Sequence, residues 1–275
     1  MIPISVVIPT KNEERAISPL LNALVGRFLE VFVVDSVSVD RTVEFSRRAG
    51  ATVVDFDWDS KYPKKKQWCL EKLPLETNWV LFVDADESLP SALIEEMRDL
   101  CESGSIDDFD AYDITLDYVW QGKLLRHGQS VVKRALVHRA RCRFPVLDDL
   151  AAPGMGEQEG HYQPVAARVG SLRGRIRHDD PDPFADWFSR HNRYSDWEAY
   201  LRSRPELRDD VRKLRSRQGQ KFERMPLKPL VILLYNLLVK QGWRDGSAGL
   251  EYALALCFYQ WQIGVKRRSF EHGRD

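Results

Sequence analysis

Asp84 and Asp86 stand one residue apart directly after the apolar run Trp79-Val80-Leu81-Phe82-Val83. In extended backbone, residues i and i+2 project to the same side. Two carboxylates placed that way present hard oxygen ligands suited to Mg²⁺ or Mn²⁺, with coordination positions left for diphosphate oxygens and water. Taken alone, an Asp-x-Asp pair serves equally well as a solvated loop, so the elements around it must decide.

The first hundred residues alternate β-branched runs with helical patterns, which predicts a parallel sheet covered by helices. The expected strands are Ser5–Ile8, Val31–Val34, Ala51–Asp55 and Trp79–Val83, and the expected helices 14–24, 40–49, 64–73 and 91–101. Three of the strands run straight into polar residues: Pro9-Thr10-Lys11-Asn12-Glu13-Glu14, Asp35-Ser36 and Asp84-Ala85-Asp86. Open parallel sheets bind ligands at the carboxyl ends of their strands, so these polar ends are where chemistry is expected.

Further along, 112–118 alternates as a strand and 140–165 reads as loop. Pro183 to Arg202 reads as a helix with Asp182 as N-cap and Pro183 in the first position. A charged stretch, 205–224, precedes two apolar helices, 228–241 and 247–265.

Lys plus Arg and Asp plus Glu both total 41 among 275 residues, so no global positive field advertises nucleic acid. Hydrophobic residues make up 43%, the balance of a globular protein with a sizeable core. The four cysteines lack C-x-x-C spacing and suggest a reduced, cytoplasmic chain. The N-terminus has no basic n-region or cleavage site, and the longest apolar run is interrupted by Asn236, so neither a signal peptide nor a membrane span is expected.

Taken in order, Val6-Val7-Ile8-Pro9-Thr10-Lys11-Asn12-Glu13-Glu14, Val33-Val34-Asp35-Ser36-Val37-Ser38-Val39-Asp40 and Val83-Asp84-Ala85-Asp86-Glu87 resemble the motifs of family 2 glycosyltransferases with the GT-A fold. The resemblance spans at least residues 1–100 and extends to bacterial lipopolysaccharide-core and exopolysaccharide enzymes. It implies a Rossmann-like, mostly parallel sheet with helices on both faces and a C-terminal helical extension. The catalytic domain would cover 1–202 and the extension 203–275.

The resemblance also implies a UDP-sugar donor held by Pro9, Thr10, Asn12, Glu13 and Asp35, and a divalent metal on Asp86 and Asp84. Asp40 caps the next helix. Where the family carries glycine this chain has Val37, and a β-branched residue disfavours positive φ, so a differently shaped loop around the base is expected. Lys66, in Lys64-Lys65-Lys66, stands where relatives carry cations that reach the diphosphate. His178, in Arg175-Ile176-Arg177-His178-Asp179-Asp180, matches a histidine that completes the metal shell, with Asp180 as an alternative acid. A lone histidine serves equally as a structural residue.

Inversion needs a base for the acceptor hydroxyl. Gly156-Glu157-Gln158-Glu159-Gly160-His161 offers Glu159, with Glu157 as the alternative. Arg190 and Arg193, in a segment resembling those enzymes, suit phosphate oxygens, while Trp187 and Tyr194 read as packing residues.

The implied activity is transfer of a hexose to a saccharide or lipid-linked saccharide in cell-surface glycan assembly. Lys228, Lys240, Arg244, Lys266, Arg267 and Arg268 flank apolar helix faces that suit peripheral contact with the inner-membrane surface as well as they suit an ordinary helical cap. Two rivals remain: a non-catalytic nucleotide-sugar or glycan-binding protein, and a sugar-phosphate nucleotidyltransferase, although the Gly-rich loop the latter uses is not present after the first strand.

Overall fold

The computed structural model describes residues 1–273 apart from 129, 161 and 216. In chain order the elements are β1 (Ile2–Thr10), α1 (Ile17–Leu24), β2 (Phe28–Asp35), α2 (Thr42–Arg48), β3 (Thr52–Asp55), α3 (Lys65–Lys72), β4 (Trp79–Phe82), β5 (Glu87–Ser88), α4 (Ser91–Ser103) and β6 (Ala111–Trp120). There follow β7 (Lys123–Leu124), β8 (Val131–His138), β9 (Val169–His178), α5 (Phe184–Ser203), α6 (Pro205–Leu214), α7 (Arg217–Arg224), α8 (Lys228–Leu234) and α9 (Ser247–Glu271). They form two compact units, one of Met1–Val119, Ser130–Pro145 and Gln163–Pro181, the other of Trp120–Gln129, Val146–Tyr162 and Asp182–Asp275.

The first unit is built on one sheet of order β3-β2-β1-β4-β8-β6-β9-β5. From β3 to β4 neighbouring strands run parallel, as the alternating pattern of strands and helices requires. Beyond β4 the sheet is mixed: β8 lies antiparallel to β4 and β6, β9 parallel to β6, and β5 antiparallel to β9.

Alternation along β1 explains why helices cover both faces. Ile4, Val6 and Ile8 join one buried cluster with Ile17, Leu21 and Leu24 of α1 and Leu93, Ile94 and Met97 of α4. Val7 faces the other way, with Phe32, Val34, Val80, Phe82 and the α3 residues Cys69 and Leu70. Each such side chain, fully buried, contributes on the order of 1.5–3 kcal/mol. Helix α4 also lies at backbone distance from β9: a Cβ on Gly174 would sit 2.8 Å from Leu93 Cβ and 2.9 Å from its Cα. Only glycine leaves the room that fixes this strand and its last residue, His178.

The second unit carries its own cluster, in which Trp197 and Leu201 of α5 meet Leu147, Ala152, Met155, Tyr162 and Val211. Trp197 Nε1 donates to Asp149 Oδ2 at 3.2 Å, tying the segment before α5 to the helix. A Cβ on Gly154, at φ +100, would come within 2.1 Å of the Arg193 carbonyl oxygen.

Three local readings change. Helix α5 starts at Phe184 with Pro183 as N-cap, because the extended ψ of 145° at Pro183 places it outside the helix. Asp182 instead accepts from Arg190 at 2.9 Å. The charged stretch 205–224 forms α6 and α7, and on α6 Arg212 pairs with Asp209 and Lys213 with Asp210 at i,i+3 spacing. Helix α8 ends at Leu234 and continues as a π-helical stretch, Tyr235–Val239, in place of one helix to 241.

Candidate active site

The Asp84-to-Glu87 turn closes on itself. Glu87 N donates to the Asp84 carbonyl at 3.0 Å, and Asp84 N donates to Glu87 Oε2 at 2.8 Å. Pairing of β5 with β9 sets Glu87 opposite His178, and Asp179 N donates to the Asp86 carbonyl at 3.0 Å. These backbone bonds hold His178 Nδ1 3.4 Å from Asp86 Oδ1. The imidazole stands edge-on to Tyr118, with centroids 4.8 Å apart, and its buried Nδ1 makes no hydrogen bond among the described residues.

Asp84 is turned elsewhere. Its Oδ2 accepts from Lys133 Nζ at 2.8 Å, and its Oδ1 lies 3.4 Å from Lys66 Nζ. Lys133 also donates to Glu87 Oε2 at 2.6 Å. Burial pushes the Asp84 carboxyl up, but Lys133 and then Lys66 outweigh it and hold it well below the usual range. Burial raises Asp86, and the attraction of His178 does not cancel it, since Asp84 and Asp180 repel the same charge. Burial likewise keeps Glu87 above its ordinary value despite Lys133.

Among the described residues, no three His, Cys, Asp or Glu side chains converge as a metal cage. The donor set nevertheless fits a divalent ion. An Asp86 oxygen and a histidine nitrogen without a hydrogen bond lie side by side, and a Mg²⁺ or Mn²⁺ site of this class takes its remaining ligands from diphosphate and water.

Lys133 is the residue the sequence reading missed. Its side chain is 12% exposed, in a strand where only Arg134 and the terminal His138 are also polar. The available signal was a lysine inside Val131-Val132-Lys133-Arg134-Ala135-Leu136-Val137, since a charge buried in a strand demands a charged partner.

The residues expected to hold the nucleoside are tied into one hydrogen-bonded network at the strand ends. Register places Thr10 beside Asp35. Asp35, 1% exposed, accepts from Thr10 Oγ1 at 2.9 Å, from Ser38 Oγ at 2.6 Å and from Ser38 N at 2.7 Å. Asn12 Oδ1 accepts from Val39 N at 2.9 Å, and Glu13 N donates to Thr42 Oγ1 at 2.7 Å. Pro9 lies beside Val34 in the same register. Lys65, one residue before the expected cation, bridges the two strand ends through the Thr10 carbonyl at 2.8 Å and Ser36 Oγ at 2.6 Å. Asp40 accepts from Thr42 N at 2.9 Å and so satisfies the first amide of α2.

Val37 departs from expectation. It takes φ +53, the conformation glycine would supply, so the loop keeps its course at the cost of strain. Its side chain is 68% exposed and adds little packing. Val37→Gly is therefore expected to raise stability by about 0.5–1 kcal/mol, the left-handed penalty less glycine's extra chain entropy. Urea denaturation of both proteins measures it, and a loss of stability would contradict the strain.

The other expected residues lie in the second unit. Glu159 is buried, its carbonyl accepting from Tyr162 N at 3.2 Å, and Glu157 is half-buried. Arg190 is held by Asp182, and exposed Arg193 donates to Ser189 Oγ at 3.4 Å. Trp187 stacks on His191 at 3.6 Å and Tyr194 lies edge-on to the same ring at 5.7 Å, the packing role expected of both. His161 lies outside the described residues.

A family model described as glycosyl transferase family 2 matches residues 5–148. An uncharacterized glycosyltransferase of Rickettsia typhi is 34% identical over 122 residues, covering 43% of this chain and 40% of the relative. The 4,4'-diaponeurosporenoate glycosyltransferase of Staphylococcus aureus is 36% identical over 88 residues, covering 30% of this chain and 24% of that protein. The matches thus span two fifths or less of these curated relatives. Among solved structures, S. aureus TarS 1-349 is similar at 20% identity and a TM-score of 0.44, over 98% of this chain and 92% of that one.

Proposed function

The chain belongs to glycosyl transferase family 2, and from that premise we propose that it is an inverting glycosyltransferase. It moves a hexose from a UDP-sugar to a saccharide or lipid-linked saccharide in bacterial cell-surface glycan synthesis, at the cytoplasmic face of the inner membrane. The observation that carries the reading is the Asp86–His178 pair, two metal-type donors 3.4 Å apart at the end of the parallel strands.

Pro9, Thr10, Asn12 and Glu13 line the donor's nucleoside, in a loop whose shape Asp35 fixes through three hydrogen bonds. Asp86 and His178, with Asp84 beside them, would hold Mg²⁺ or Mn²⁺, which supplies positive charge for the departing diphosphate. Lys66, Arg190 and Arg193 are the cations assigned to diphosphate oxygens. Glu159, or Glu157 in its place, takes the proton from the acceptor hydroxyl as its oxygen bonds to the anomeric carbon and the sugar–phosphate bond breaks.

UDP release from UDP-glucose in the presence of cell-surface glycan acceptors tests this. EDTA should stop turnover and added Mn²⁺ restore it. Glu159→Gln should lower kcat by about 10²–10⁴-fold, the usual contribution of a general base, while donor binding, read by thermal shift, stays. Full turnover in Glu159→Gln removes that residue from the role, and donor binding without turnover on any acceptor would support the non-catalytic rival.

A further inference from the structure

Helix α9 exposes Leu250, Leu254, Phe258, Trp261 and Val265, each between 38% and 52% open to solvent. Steps of four, four, three and four residues place them in a single stripe. The opposite side of the helix buries Ala248, Ala253, Ala255 and Ile263. Phe258 and Trp261 stack at 5.5 Å with 19° between their planes, so part of the stripe is a preformed aromatic surface. Leu227, Leu230, Leu234 and Leu238 repeat the pattern on the preceding helical segment, at 45–73% exposure. Helix α8 packs against α9, so both stripes belong to one helical pair. Trp243, in the connection between them, is 62% exposed.

Charge says what covers them. Between Arg217 and Arg268 there are nine lysines and arginines against three acids. Each acid is engaged within the unit. Glu223 pairs with Arg202, Arg215 and Lys228, Asp245 accepts from His127, and Glu251 accepts from Trp120 and Gln121. Lys221, Arg224, Lys240, Arg244 and Arg268 remain exposed. A second copy of the chain would bring the same excess of cations to the contact and repel it. An anionic bilayer complements both features, because apolar side chains enter the acyl boundary while the cations stay at phosphate level. Among the described residues no helix is long and apolar enough to cross a membrane, so the contact is one of surface docking.

We propose that α8 and α9 dock the chain on an anionic membrane surface through the stripe Leu250, Leu254, Phe258, Trp261 and Val265 and the leucines beside it. Docking of this kind deepens the lipid-linked reading of the acceptor and rests on it. Flotation without donor or acceptor nevertheless separates its failure from failure of the transferase reading.

The full chain should float with phosphatidylglycerol-containing vesicles, bind phosphatidylcholine vesicles weakly, and release as salt rises. The triple variant Leu254→Gln, Phe258→Gln, Trp261→Gln should bind at least about tenfold more weakly, and Lys240→Gln with Arg244→Gln about tenfold more weakly with a shallower salt dependence. Both variants should keep the parent's melting temperature and its turnover on a water-soluble acceptor. Absence of flotation, or parent-like binding by the triple variant, overturns the proposal. So does a concentration-dependent dimer that the triple variant abolishes, which would assign the stripe to a second copy.

Discussion

Asp86→Asn is expected to lower kcat/KM for transfer by about a thousandfold or more, as loss of a preorganised group facing the leaving charge does, and to leave the protein folded. The distinction follows from where Asp86 sits. Its carboxylate lies against His178 and feels repulsion from Asp84 and Asp180, and among the described residues Lys133 attracts it without pairing with it as it pairs with Asp84. Removing that charge relieves repulsion, so the variant should melt no lower than the parent. The measurement is UDP release alongside a melting curve. Parent-level turnover would sink the assignment, and collapse of the fold would recast Asp86 as a structural residue.

Lys133→Met should produce the converse pattern, a loss of about 3 kcal/mol in folding stability. Lys133 Nζ is shared between Asp84 at 2.8 Å and Glu87 at 2.6 Å, and Glu87 is 2% exposed. A buried carboxylate deprived of its cation is the expensive case, because neither water nor a counter-charge replaces the lost interaction. Adding Glu87→Gln to Lys133→Met should recover part of the loss, since the amide no longer needs the cation. Urea titrations of the parent, both single variants and the pair give the coupling. A single-variant loss below about 1 kcal/mol would show that the lysine is not needed to hold the turn. Turnover should fall as well, because Asp84 and Glu87 shape the backbone that carries Asp86.

The parallel half of the sheet was legible in the residues because its signal is local. Ser5–Ile8, Val31–Val34 and Trp79–Val83 are apolar on both faces, and each ends in residues that cannot be buried unpaired, so both the strands and the edge where their polar ends gather followed directly. The mixed half was less so. There the residues predict strands only at 112–118 and in the short run that ends at His178, and in β8 the adjacent Lys133 and Arg134 interrupt the apolar run, which conceals a strand whose charges find partners in distant elements.

Residue types, order and spacing thus determined the Asp84-to-Glu87 motif, the polar strand ends and the apolar C-terminal helices with their flanking cations. Tertiary structure alone decided which carboxylate faces which partner. Pairing of β5 with β9 brings His178 to Asp86 across 92 residues of chain, and β8 delivers Lys133 to Asp84 across 49. It also decided that Val37 keeps a backbone meant for glycine, since the hydrogen bonds of Asp35, Ser38 and Asn12 on either side outweigh the local preference of one β-branched residue. Local pattern is written in neighbours along the chain, whereas the pairing of charges depends on long-range strand register, which no short segment encodes.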